Sequence, residues 1–312
     1  MSHRTAALPA SGTDNMAEGI NYRRVAIIGV GLIGGSLARA LKRAGCRAEI
    51  IGYGRNHLNL QRAVELGVID RFETSVALAI EGADMVVVAV PVGAIGDMLG
   101  EVALNLDPEA VVTDVGSAKA GVINDARSAL GAKLPSFVPG HPIAGTEKRG
   151  VEASSAALFE GHAVLLTPIA ETRPLAVARV RAMWEATGAR VIEMDAARHD
   201  QILAATSHLP HMLAYTLVDT LARMDESDAI FQFAAGGFRD FTRIASSDPT
   251  MWRDICLANG EAIVAVIEQF QTHLASVADA VRQRDGDKLM ALFARAKAVR
   301  DRVIKNNQGG SK

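Results

Sequence analysis

The sequence predicts an α/β chain in which a doubly wound parallel sheet is followed by an all-α domain. Three observations predict it. From Arg24 onward, short β-branched runs alternate with longer amphipathic stretches, the pattern of a parallel sheet covered by helices. Several of those runs are apolar throughout rather than alternating, as strands buried on both faces must be. Beyond Met194 the spacing of apolar residues turns from strand-like to helical.

Taken in order, residues 25–29, 49–53, 85–90, 110–114 and 136–139 read as the strands. Two later runs, 162–167 and 190–193, flank a helical pattern at 173–187 and are predicted to extend the same sheet. In the second half Ile202, Ala205, Leu209, Met212 and Leu213 form one apolar stripe, and Ile255, Ile263, Val266 and Phe270 another. Gly236 and Gly237 interrupt the helices, and a charged amphipathic helix is expected over 287–304. Such long stripes must be covered within the domain or by a second copy, and a homodimer is expected.

Composition narrows the function. The 312 residues are 49% hydrophobic and 22% charged, the proportions of a packed soluble protein. A formal net charge of -2 argues against an electrostatic grip on nucleic acid or an anionic membrane and leaves a small metabolite as the partner. Cys46 and Cys256 are far apart in sequence, so neither a disulfide framework nor a thiolate metal site is indicated. Both read as buried small hydrophobes in a reducing compartment. Residues 1–20 lack the apolar stretch of a secretory signal and read as a flexible leader, and a cytoplasmic protein is expected.

The first strand runs into Gly29, Val30, Gly31, Leu32, Ile33 and Gly34, and a helical pattern follows. The first glycine permits a tight turn, the second lets the backbone approach a pyrophosphate, and the third lets helix pack on strand. Free N–H groups at the helix start then face the phosphates. The sheet is therefore read as a Rossmann-type dinucleotide-binding domain over 21–194, with a helical substrate and dimerisation domain over 195–312. After the second strand come Tyr53, Gly54, Arg55 and Asn56, with no acid to bond the ribose 2'-hydroxyl of NAD. Arg55 is placed to attract a 2'-phosphate, which favours NADP over NAD.

Two loops at strand ends carry the chemistry. One holds Asp114-Val115-Gly116-Ser117-Ala118-Lys119, the other His141-Pro142-Ile143-Ala144-Gly145-Thr146-Glu147. Ligands bind at the carboxyl ends of strands in such sheets, so Ser117 and His141 are expected to face a nicotinamide together. Histidine suits the proton acceptor that carbinol oxidation needs. In the helical half, Ser207 and His211 share a helix face, His208 lies beside it, and Pro210 is expected to kink the helix. Arg243, in an apolar neighbourhood, is the candidate clamp for a substrate carboxylate.

Together these motifs, continued by Thr242-Arg243-Ile244-Ala245 through Trp252, resemble the prephenate and arogenate dehydrogenase family over nearly the whole chain. The resemblance implies oxidative decarboxylation of a cyclohexadienol to a phenol, with NADP or NAD as cofactor. It implies His141 and Ser117 as catalytic groups and Ser207, His208, His211, Arg243 and Trp252 around the substrate. Any inhibition by tyrosine is expected to be competitive. Two alternatives stay open. A β-hydroxyacid or 6-phosphogluconate-like dehydrogenase would use a helical-domain lysine, where this chain offers Ser207, His208 and His211. A non-catalytic dinucleotide-binding sensor would need the glycine turn but not His141, Ser117 and Arg243.

Overall fold

The structure is a computed structural model that describes residues 22–146 and 148–308. The expected leader and Glu147 lie outside the described residues. The chain lays down β1 (Arg24–Ile28), α1 (Leu32–Arg43), β2 (Glu49–Tyr53), α2 (His57–Glu65), β3 (Arg71–Phe72), α3 (Val76–Ile80), β4 (Met85–Val88), α4 (Ile95–Asn105), β5 (Val111–Asp114), α5 (Ala120–Leu130) and β6 (Phe137–Val138). The six strands pair in parallel in the order β3-β2-β1-β4-β5-β6. The two-residue β3 is too short to carry a period and was not expected.

Neighbouring residues of the central strands feed opposite cores. Val25, Ile27 and Val87 pack with α1 residues such as Leu37 and Leu41. Ala26, Ile28, Val86 and Val88 pack with Leu99 of α4 and Val122 of α5. This is why the strands read as unbroken apolar runs; each Val or Ile so buried contributes about 1.5–3 kcal/mol.

The sheet ends at β6, which corrects the expected extension. Pro139 has no N–H to carry the ladder onward. The chain enters a second sheet of β7 (Gly140–Pro142), β8 (Ala163–Leu166) and β9 (Arg190–Glu193), in that order. β7 runs antiparallel to β8, and β8 lies parallel to β9 with α6 (Pro174–Ala186) between them. His141 thus lies inside a short strand rather than in a loop after one.

The helices continue as α7 (Ala196–Leu203), α8 (Leu209–Ala222), α9 (Ser227–Gln232), α10 (Gly236–Thr242) and α11 (Pro249–Ala258). Between α7 and α8 the turn Ala204–His208 is π-helical. Where a kink is expected the helix widens instead, and the broader turn accommodates the backbone bond that Pro210 cannot make. It also resets the phase. Ala205 is exposed while Leu203, Ala204 and His208 are buried, so the predicted stripe is not the buried face.

The described residues up to Gly260 form one compact unit, and those from Glu261 form a second. The second holds α12 (Gly260–Gln283) and α13 (Gly286–Gln308). The stripe from Ile255 to Phe270 is therefore divided between α11 and α12. Among the described residues no helix is long and apolar enough to cross a membrane. Cys46 and Cys256 are free and half-buried rather than fully buried.

Candidate active site

The glycine turn is sterically fixed. Gly29 has φ +104°, and a Cβ there would lie 2.5 Å from the Ala89 carbonyl oxygen. A Cβ on Gly34 would run into the Gly29 carbonyl oxygen, so only glycine lets α1 lie this close to β1. Gly31 differs, since a Cβ there would meet nothing within 4 Å. It borders two cavities, of 520 Å³ toward Tyr53, Gly54, Arg55 and Asn56, and of 340 Å³ toward Leu32, Ile33 and Ser117. Asp97 and Glu101 line the far wall of the larger one. The first N–H groups of α1 have no partner within the helix. An open cradle at a helix start, with a cavity on either side, fits the pyrophosphate of a dinucleotide. Asn59 braces the turn, its Nδ2 donating to the Val30 carbonyl at 2.7 Å. Arg55 is exposed at the lip.

A buried polar frame ties the two chemical loops together. Asp114 Oδ2 accepts from the Gly116 N–H at 2.7 Å and from the Lys119 ammonium, while Oδ1 accepts from the Gly140 N–H at 3.1 Å. Lys119 Nζ also donates to the Gly140 carbonyl at 2.7 Å. Ser117 and His141 each follow a residue held by this frame.

His141 is buried, and its Nδ1 lies 2.9 Å from His199 Nε2. His199 Nδ1 lies 2.7 Å from Asp200 Oδ1. The Asp200 carboxylate accepts from the N–H groups of Lys119 and Ala120, both at 2.8 Å, at the start of α5. Burial works to raise the Asp200 pKa, but the bonds from His199 and from those two amides outweigh it and hold the group below its ordinary value. The ionised carboxylate fixes the protons along the chain. His199 donates from Nδ1 and accepts at Nε2, so His141 donates from Nδ1 and keeps an acceptor lone pair at Nε2. Burial above all, then the charges of His199, Lys119 and His208, push the His141 pKa well below 6.5. The ring is a neutral hydrogen-bond acceptor at physiological pH.

The second cluster lies on the helices. Asn259 Nδ2 donates to the Asp200 carbonyl at 2.9 Å and lies 3.2 Å from His208 Nδ1. His208 therefore accepts at Nδ1 and offers Nε2–H. Burial, followed by the neighbouring His199 and His211, lowers its pKa to about 4 against the opposing pull of Asp200. His211 donates from Nδ1 to the Ser207 carbonyl at 2.9 Å and stacks on Trp252, with centroids 3.7 Å apart. Arg243, exposed just after α10, acts after burial to lower the His211 pKa. The structure thus brings Ser207, His208, His211, Trp252 and Arg243 into one neighbourhood, and joins it to His141 through Asp200. Gly54 and Arg55 lie apart, at the other cavity.

The sequence reading did not single out His199, Asp200 or Asn259, and read Asp114 and Lys119 only as motif neighbours. A signal was present for two of them: His199 and Asp200 stand four and three residues before the buried Leu203, on its helix face.

The family description "Prephenate dehydrogenase, nucleotide-binding domain" matches residues 37–193, and "Prephenate dehydrogenase, dimerization domain" matches 195–295. The cyclohexadienyl dehydrogenase of Zymomonas mobilis is 37% identical over 281 residues, 89% of this chain and 95% of that one. The prephenate dehydrogenase of Bacillus subtilis is 37% identical over 287 residues, 91% of this chain and 77% of that one. A crystal structure of Aquifex aeolicus prephenate dehydrogenase with hydroxyphenyl propionate and NAD+ superposes with a TM-score of 0.86 at 38% identity. It covers 92% of this chain and all of that one. The chain belongs to the prephenate dehydrogenase family, NAD(P)-dependent dehydrogenases that oxidatively decarboxylate a cyclohexadienyl acid.

Proposed function

We propose that this enzyme acts on prephenate and arogenate alike, with His141 as the base that takes the ring hydroxyl's proton. The buried chain Asp200–His199–His141 carries the reading, because it leaves Nε2 of a neutral imidazole as the acceptor. The hydride leaves the ring carbon that carries the hydroxyl, and bound NAD(P) would supply its acceptor. Ser117, held in the same frame as His141, orients the hydroxyl. The hydroxyl proton passes to His141 Nε2, and the imidazolium formed is stabilised by donating through His199 toward Asp200. The ring carboxylate then leaves as carbon dioxide, and the electron pair of the broken C–C bond enters the ring and makes it aromatic.

Arg243 clamps a substrate carboxylate through its planar fork. Ser207, His208 and His211 line the same pocket, His208 offering an N–H and His211 a lone pair, and Trp252 backs the His211 ring. Gly29, Gly31, Leu32, Ile33 and Gly34 hold the pyrophosphate. Gly54 and Arg55, in place of an acid after β2, favour NADP over NAD. The dinucleotide-binding domain is residues 21–194, and residues 195–312 form the substrate and dimerisation domain of a homodimer. Tyrosine, which shares the phenol and side chain of the product class, competes at this site. Two unpaired cysteines suit the cytoplasm.

Initial rates with both acids against NAD and NADP test the reading. Turnover of both acids and a higher kcat/KM with NADP are expected; equal or better efficiency with NAD overturns the cofactor preference. His141→Asn should lower kcat by orders of magnitude with cofactor affinity nearly intact, and close to normal turnover would overturn the role of His141.

A further inference from the structure

We propose that Lys119 is a positioning residue for this reaction, locking the Ser117 and His141 segments to one frame and setting its ammonium on the carbonyl of Gly140, the residue before His141. The side chain is fully buried. Its ammonium donates to Asp114 and to the Gly140 carbonyl, and its backbone N–H donates to Asp200 Oδ1 at 2.8 Å. One residue therefore touches the residue before His141 and the carboxylate that ends the His199 chain. An apolar pair of similar volume could fill the space as well. Only a donor beside an acceptor can hold both the N–H and the carbonyl of Gly140, as Lys119 and Asp114 do together.

The cation has a second effect. The groups around His141 are His199 and Asp200 of α7, His208 of the π-helical turn, Asp114 of β5 and Lys119 at the start of α5. Asp114 is paired with Lys119, and Asp200 reaches His141 only through His199. Burial first, then His199, Lys119 and His208, disfavour the imidazolium. Without the Lys119 charge, His141 takes up a proton at higher pH, and the acid limb of kcat/KM moves up.

The inference rests on His141 as the base, and the test separates the two. The pH dependence of kcat/KM and the melting temperature are measured on the full chain for wild type, Lys119→Met, Lys119→Arg and the double variant Asp114→Asn with Lys119→Met. The acid limb should rise by roughly one pH unit in Lys119→Met and stay near wild type in Lys119→Arg, which keeps the charge. The double variant removes the Asp114 anion together with the cation and should move the limb in the same direction by less; if Lys119→Met fails to fold, an unmoved limb in the double variant overturns the inference. An unmoved limb in a folded Met variant, with only a lower melting temperature, overturns the inference alone. A wild-type acid limb that survives His141→Asn overturns both.

Discussion

Asp200→Asn probes the proton chain without touching substrate. The carboxylate is an acceptor for three N–H groups: the His199 ring and the Lys119 and Ala120 amides. Loss of the anion at the first turn of α5 should cost about 1–2 kcal/mol of stability. The catalytic cost follows from tautomers. The amide can turn either way. With its oxygen toward His199 Nδ1 its NH2 opposes the Ala120 N–H, the tautomer is kept, and the imidazolium formed on His141 loses only the anion at the end of the chain. With its NH2 toward His199 the proton there moves to Nε2, and His141 must carry its own proton on Nε2, where it cannot take the hydroxyl proton. A comparable loss of the orienting aspartate in serine proteases lowers kcat about 10⁴-fold, and a fall of about 10²–10⁴ is expected here. kcat and kcat/KM should fall together, with the nucleotide dissociation constant unchanged.

Asp195→Ala is the control. Asp195 caps α7 by accepting from the N–H groups of Ala197 and Arg198, and has no part in the proton chain. Its loss should cost about 1 kcal/mol in urea denaturation and leave kcat within about twofold. If Asp200→Asn lost stability to a similar degree yet turned over within a few-fold of wild type, the tautomer argument would fail. The pH dependence offers a second check. The folded Asp200 pKa is held below 3.8, so the stability it contributes is complete above that value and is lost as pH falls through the folded one. Wild type and Asp200→Asn should converge in stability only in strong acid.

Gly31→Val should leave the melting temperature near wild type, since a Cβ there meets open space. It should weaken nucleotide binding by at least about tenfold in a fluorescence titration, and unchanged binding would remove Gly31 from the cradle. Arg55→Asp, which restores an acid near the end of β2, should shift the NADP to NAD ratio of kcat/KM at least about tenfold toward NAD. His208 stays neutral in the fold down to about pH 4, against 6.5 for the free side chain. The unfolded chain therefore binds that proton first, and stability falls as pH drops from 6.5 to 4. The most this one group can contribute is about 3 kcal/mol. Urea denaturation at pH 7.5 and pH 5 should show a smaller loss in His208→Gln than in wild type; equal losses would contradict the assignment.

What was legible in the sequence was what a period or a fixed motif records. Strands buried on both faces announce themselves as apolar runs, and the glycine turn states its own steric demands at Gly29 and Gly34. The break at Pro139 was also written in the chain, yet its consequence was not. A proline tells where a ladder stops, while the antiparallel partner waiting at β8 is a tertiary fact. The π-helical turn is similar: Pro210 signalled a disturbance, but only packing decides whether a helix kinks or widens, and widening moved the buried face from Ala205 to Ala204 and His208.

The site shows the same division more sharply. Ser117, His141 and Arg243 could be named because their chemistry suits a substrate. His199 and Asp200 act on another residue of the chain, and sequence places them on α7 without saying that α7 meets the start of α5. Asp195 and Asp200 make the point, being two aspartates in one helical segment that each accept two backbone N–H groups. Asp195 accepts them from its own helix, which local spacing can foretell. Asp200 accepts them from a helix about 80 residues earlier in the chain, and that contact turns an ordinary carboxylate into the group that sets the proton positions on His199 and His141.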